Sequence, residues 1–441
     1  MAIDYNQADA TWSQACMIHL AESLIAEEKG QKEPHNGPVR WQRPPSHAAV
    51  LLLADAVLNH DFGHDFDIEE LLQVSPRRGL LEQSLRVLAS WLVQVIRETR
   101  SQNEESAPLY QAMAAQRGAM LYRRFYGLRL RHVEGTLLQA LLGNPVRTAI
   151  VLGVDLLVDT PPHSWQDSSL AISSLVQSPH WQVADVYPRL LESSDPTVIA
   201  PALDLANLLA QERGVTPHPA SERFENLLAL LGGVVSRLGL LEEDPSHFSN
   251  SVSEIQQILF DSVSLTVSLC HTMALLGDSR AIGKLNQAME LRHRRIRAEA
   301  GFALAKLGDA SATDRLLELA EDDATRPRVL QYAKELGLID RIRPEWQSDE
   351  AKARSMLALQ LSQPEWFAIA PQRIELVDHR DLALPGFQGP QPCFLFRYEY
   401  DIGPQGIANI GFSGPFVFVF PTNILDWDYE TIYEVVLQSL E

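Results

Sequence analysis

Apolar residues recur three and four positions apart along most of this chain, and near its end the spacing shortens to two. The first pattern predicts α-helices, the second half-buried β-strands. From about Leu109 to Arg343 the sequence reads as helices of roughly 12 to 20 residues joined by short turns. Earlier helical stretches are "HAAVLLLADAVLNH", "IEELLQV" and "LLEQSLRVLASWLVQVIRETR", and Trp12, Cys16, Leu20, Leu24 and Ile25 mark one more near the start. The polar, proline-rich "KGQKEPHNGPVRWQRPPS" and the break "SQNEESAP" separate these pieces. The expected organisation is an N-terminal helical region over 1–105 with a Pro-rich connector near 30–46, a helical array over 106–343, and an α+β domain over 344–441.

Asn144-Pro145 and Asp195-Pro196 read as helix starts. A short polar side chain accepts from free N–H groups there, and proline in the first turn loses no hydrogen bond. Pro188 and Pro201 fall inside helical patterns and predict kinks or splits.

Laid against itself, the chain repeats. "TVSLCHTMALLGD" begins at Thr266, "RAEAGFALAKLGD" at Arg297 and "RVLQYAKELGLID" at Arg328, at an offset of 31 residues each time. A period of about 30 holding two short helices is the mark of a stacked helical solenoid. Ile296, Arg297, Ala298, Ala300, Ala303, Leu304 and Leu307-Gly308-Asp309 resemble the HEAT-like repeat pattern, in the short form found in phycobilisome-lyase-type repeat proteins. "NPVRTAIVLGVDLLVD" and "DPTVIAPALDLANLLAQ" are looser copies. The resemblance implies a mainly α fold, a HEAT-like solenoid of stacked helix pairs. It also implies that Arg297 is a rung in an inter-repeat ladder with aspartates at the places of Asp278 and Asp309.

After residue 344 the runs "RIELV", "CFLFRYEYDI", "GIANIGF" and "FVFVFP", bounded by Gly/Pro turns, predict three or four strands of an antiparallel sheet. A closing helix presents Tyr429, Ile432, Tyr433, Val436, Leu437 and Leu440 on one face. The aromatics at spacing two, from Phe394 to Tyr400 and from Phe416 to Phe420, read as core against that helix, with an exposed platform as the alternative.

Charge changes the picture locally. The net charge of −20 disfavours nucleic acid and anionic membranes. Yet residues 280–343 hold 13 Lys and Arg against 10 Asp and Glu, and 107–133 hold five arginines (Arg117, Arg123, Arg124, Arg129, Arg131) and no acid. In "LRHRRIR", Arg292, Arg294 and Arg295 lack a packing role and become candidates for an anionic or acidic partner. Arg123 and Arg124, interleaved with Tyr122, Phe125 and Tyr126, are the second such candidates, although an amphipathic helix neutralised by acidic neighbours explains them as well.

The 3 cysteines form no metal-binding spacing and fit a reducing compartment. No apolar run reaches the length of a membrane span. His60, Asp61, His64, Asp65 and Asp67 cluster, but Asp67 before "IEELL" reads as a helix cap. Nucleotide, phosphate and zinc-protease motifs are missing, "GFSGP" is a turn and not a nucleophile elbow, and no His-Glu pair suggests an iron hydroxylase. The sequence therefore predicts a cytoplasmic protein–protein interaction scaffold or adaptor that needs no cofactor or metal. A chromophore-lyase-like or other HEAT-fold enzyme is the alternative, and nucleic-acid binding through the arginines the weaker one.

Overall fold

Helix ends and turn glycines account for most of the local architecture. The computed structural model describes residues 107–126, 131–144, 146–176, 183–193, 195–363, 369–401 and 406–440, with isolated positions between 50 and 96 and at 366. The helix expected around Trp12, the His60–Asp67 cluster and Arg129 lie outside the described residues. The fold is mainly helical with a small antiparallel sheet near the C-terminus. By internal contacts the chain divides into two units, one running to Leu230 and including Pro245–Leu276, the other comprising Leu231–Asp244 and Gly277–Glu441.

The first unit contains helices α1 (Ala107–Phe125), α2 (Arg131–Leu142), α3 (Arg147–Asp159), α4 (Trp165–Leu175), α5 (Val183–Leu190) and α6 (Pro196–Glu212). It also holds the start of α7 (Phe224–Glu243) and all of α8 (Val252–Leu276). Asp195 caps α6 as its sequence predicts, accepting from Thr197 N at 2.8 Å. Asn144 does not cap α3. Its side chain accepts from Val146 N and donates to the carbonyl of Ile96, tying two helical segments instead. Pro188 and Pro201 stay inside α5 and α6 without ending them.

Between α6 and α8 lies a buried polar network. His218 Nε2 bonds Asn207 Oδ1 at 3.1 Å while its Nδ1 accepts from Ala220 N at 3.2 Å, so the ring is the neutral Nε2–H form. Thr272 donates to the same Asn207 oxygen, and Ser268 donates to Asp204. Every polar atom named here has a partner, which a buried network requires if it is not to weaken the fold.

In the second unit, α9 (Ile282–Met289) packs on α10 (Arg294–Lys306), and α11 (Ala310–Glu318) packs on α10 and on α12 (Arg326–Glu335). The repeated Leu-Gly-Asp has a local cause. Gly308 at φ +87° closes α10 in the left-handed region that glycine tolerates, and Asp309 then caps α11 through Ala312 N at 3.0 Å. Gly277 and Asp278 act alike before α9, where Asp278 accepts from Arg280 N.

The third copy differs from its sequence alignment. Its left-handed glycine is Gly337, 29 residues after Gly308, so counted back from that glycine Arg326, not Arg328, corresponds to Arg297. The shift arises because α12 ends at Glu335, two residues earlier in the repeat than the 31-residue offset implies. The segment from Thr266 lies in α8 and belongs to the first unit.

Helix α13 (Asp349–Leu361), capped by Ser348, leads into strands β1 (Arg373–Ala383), β2 (Pro390–Tyr400), β3 (Ile407–Ser413) and β4 (Val417–Val419). The sheet order is β1-β2-β3-β4, antiparallel throughout, with a bulge near Val377. Residues 393–396 are buried at consecutive positions, so both faces of the sheet are covered. Phe394, Phe396, Tyr398 and Tyr400 pack with Leu357 and Leu361 of α13, while Cys393, Leu395 and Phe412 pack with Ile432, Tyr433 and Val436 of α14 (Tyr429–Gln438). The β2 aromatics are thus core, as expected, but against α13 and not the terminal helix. Helix α13 comes so close that a Cβ on Gly411 of β3 would lie 2.7 Å from Leu357 Cδ1.

Candidate interaction site

The arginine-rich turn at 292–297 opens α10, whose preceding residue His293 offers no side-chain cap. Just before the helix, two backbone N–H groups are taken by Glu242. Its carboxylate accepts from Arg292 N at 2.8 Å and from His293 N at 3.1 Å. A negative group at the positive end of a helix is favourable, so part of the anion-attracting capacity of this turn is used inside the chain. Burial, and then the Arg295 charge, hold the His293 imidazole below its ordinary pKa.

The arginines of this turn divide by role. Arg292 and Arg295 are exposed and, among the described residues, their guanidinium groups have no hydrogen-bond or ion-pair partner. Arg294 faces Asp322 at 3.6 Å. Arg297 is half-buried on the wall of a cleft of about 490 Å³ shared with Arg315, Glu318, Leu319, Glu321 and Asp322. Arg315 binds Glu290 at 2.6 Å.

The ladder that the repeat resemblance implies takes another form. Asp278 bonds Arg280, which holds its carboxyl below the usual range, and Asp309 is held low by the N–H of Ala312 and by Ser311. Both carboxylates serve caps, and neither pairs with Arg297.

The fully engaged arginine is Arg326. It is 2% exposed, donates to the carbonyls of Ala320, Glu321 and Ala351 and to Ser355 Oγ, and faces Asp323 at 2.6 Å. These bonds join α12 to α13. Beside it, the carboxylate of Glu299, 4% exposed, accepts from Arg328 and from Tyr332 OH, whose ring stacks on Phe302 with centroids 4.0 Å apart. Burial and the Glu299 charge drive the Tyr332 phenol well up. Sequence reasoning missed both clusters. A two-residue shortening of one repeat hides Arg326, and only the 29-residue glycine spacing betrays it.

The 117–131 arginines lie in the first unit. Arg117 pairs with Asp55 at 2.7 Å, and Arg124 donates to the carbonyl of Leu58. Arg123 is exposed, with no partner among the described residues. Tyr122 and Phe125 are buried, and the hydroxyls of Tyr122 and Tyr126 donate to the carbonyls of Thr160 and Pro161. Those rings therefore pack the fold instead of offering faces to bases. Arg123 and Arg124 belong to one unit and Arg292, Arg294 and Arg295 to the other.

A second convergence went unnoticed in the sequence. Glu134 on α2 is 4% exposed, and Asp167 on α4 lies so near that a Cβ on Gly135 would be 3.4 Å from its Oδ1. Burial, followed by the Glu134 charge, raises the Tyr122 phenol. No group of three or more potential metal ligands occurs among the described residues. Residues Ser221–Glu243 and Val252–Leu276 are long and apolar enough to cross a bilayer by length and composition, and about half of each is buried within the protein, as in a core helix.

Comparison with protein-family models, with curated proteins and with solved structures finds no match to this chain.

Proposed function

We propose that this chain is a non-catalytic scaffold or adaptor that holds a protein partner on a surface of HEAT-like stacked helix pairs. The observation that carries the reading is the concentration of uncommitted guanidinium groups at one turn. Arg292, Arg295 and Arg297 follow one another closely in sequence at the start of α10, and among the described residues their guanidinium groups have no internal partners, while arginines nearby (Arg294, Arg315, Arg326, Arg328) all face carboxylates. The successive pairs α9/α10 and α11/α12, each closed by a left-handed glycine, support the repeat architecture. Stacked pairs display extended surfaces without needing a catalytic pocket.

The test is chemical cross-linking and affinity capture from the source cells at physiological salt, with the natural chain beside a double variant, Arg292→Glu with Arg295→Glu. The expected result is a reproducible partner protein, cross-linked near this turn and lost from the double variant. Recovery of the chain alone, or of the same proteins with both forms, contradicts the proposal.

A further inference from the structure

One half-buried charge in the second unit lacks a counterpart. In the cleft beside α10, Arg315 is held by Glu290 and Asp322 faces Arg294. Glu318 and Glu321 are exposed and remain hydrated. Arg297 is the exception, since it is half-buried and its guanidinium has neither a hydrogen bond nor an ion pair among the described residues. A guanidinium drawn partly out of water gains most from a carboxylate, which matches its forked donors. Arg326, at the equivalent place one helix pair later, shows the same side chain with its acceptors supplied by the chain itself. At Arg297 the described residues supply none.

We infer that the Arg297 cleft receives a single acidic side chain, Asp or Glu, from a segment of the partner protein that is otherwise neutral or basic. This rests on the scaffold reading and names the chemistry the partner brings. The restriction to one acid stems from Glu318 and Glu321, whose charges border the same cleft and repel a polyanion such as a nucleic-acid backbone. They favour a lysine or arginine next to the acid, and Leu319 gives the methylene stem an apolar contact.

The experiment uses the full chain with ¹⁵N-labelled arginine, titrated with the capped peptide acetyl-Lys-Glu-Lys-amide. The controls are acetyl-Lys-Gln-Lys-amide, sodium acetate and a short single-stranded RNA. The Arg297 Nε–H resonance is assigned by its disappearance in Arg297→Gln, a variant that loses no internal bond among the described residues and whose fold is checked by circular dichroism. The expected result is a saturable shift of that resonance with the Glu peptide, at an affinity about tenfold above the Gln peptide, as one charge-assisted bond gives. An equal response to acetate assigns a site for free carboxylates and overturns the partner-segment inference. A stronger response to RNA, or none to the Glu peptide, overturns it too. If the Glu peptide leaves Arg297 unmoved while capture of the partner still depends on Arg292 and Arg295, this inference fails and the scaffold reading stands.

Discussion

Arg297 and Arg326 each stand 11 residues before a left-handed glycine, near the start of the second helix of a pair, yet their surroundings are opposite. Arg326 is sealed between α12 and α13 with acceptors for most of its donors; Arg297 lines an open cleft and its guanidinium bonds none of the described residues. The contrast comes from the next element of the chain. Helix α13, immediately beyond the α11/α12 pair, brings the carbonyl of Ala351 and the hydroxyl of Ser355 within reach of Arg326. Two arginines at the same distance from a left-handed glycine thus acquire a sealed or an open setting from their neighbours, and residue type alone does not distinguish them.

The largest effect that can break this contrast is removal of Arg326. Arg326→Ala leaves four neutral acceptors without their donor, while Asp323 keeps Arg354 at 3.3 Å, and the loss should be about 3 kcal/mol, read as a lowered urea midpoint. A change under about 1 kcal/mol would mean that the buried guanidinium contributes little.

The polar network of the first unit offers a second sealed group. Burial, with His271 as the lesser cause, pushes the His218 imidazole down to about 4 from its ordinary value of 6.5. The unfolded chain therefore takes up the proton first. Stability that is fully present above pH 6.5 falls as the pH drops toward 4, by about 3 kcal/mol in all. Unfolding measured between about pH 7 and 4, with His218→Gln as reference, should show the steeper pH slope only in the natural chain.

A smaller effect tests the turn that defines the repeat register. At Gly308 an added Cβ meets no atom within 4 Å, so Gly308→Ala carries only the left-handed backbone cost, about 1 to 2 kcal/mol. Gly308→Asn should cost less, and equal losses would point to a packing cause. The smallest change belongs to Arg297→Gln, expected within about 0.5 kcal/mol of the natural chain, as for a surface position. A loss approaching that of Arg326→Ala would place Arg297 in the fold.

Much of the fold was legible because its causes are local. The helical period, the Asp195 cap and the Gly-bounded strands all announce themselves in short stretches. Partnerships across the chain were not. Sequence alternation puts Phe394, Phe396, Tyr398 and Tyr400 on one face, but it cannot choose α13 over α14 as the cover. Asp278 and Asp309 were read through the repeat resemblance as ladder acids, when a glycine before each already favours a cap. The arginine turn was legible as a cluster. Glu242, 50 residues from Arg292, was not, since a carboxylate at a helix start can come from any neighbouring element.

The most direct test of the contrast needs no substitution. Hydrogen exchange of the arginine Nε–H groups in the ¹⁵N-labelled natural chain compares Arg326 and Arg297 in one experiment. The structure predicts strong protection for Arg326, opening only with its part of the fold, and exchange at Arg297 close to that of a solvent-exposed arginine. Equal protection at the two positions would contradict the account.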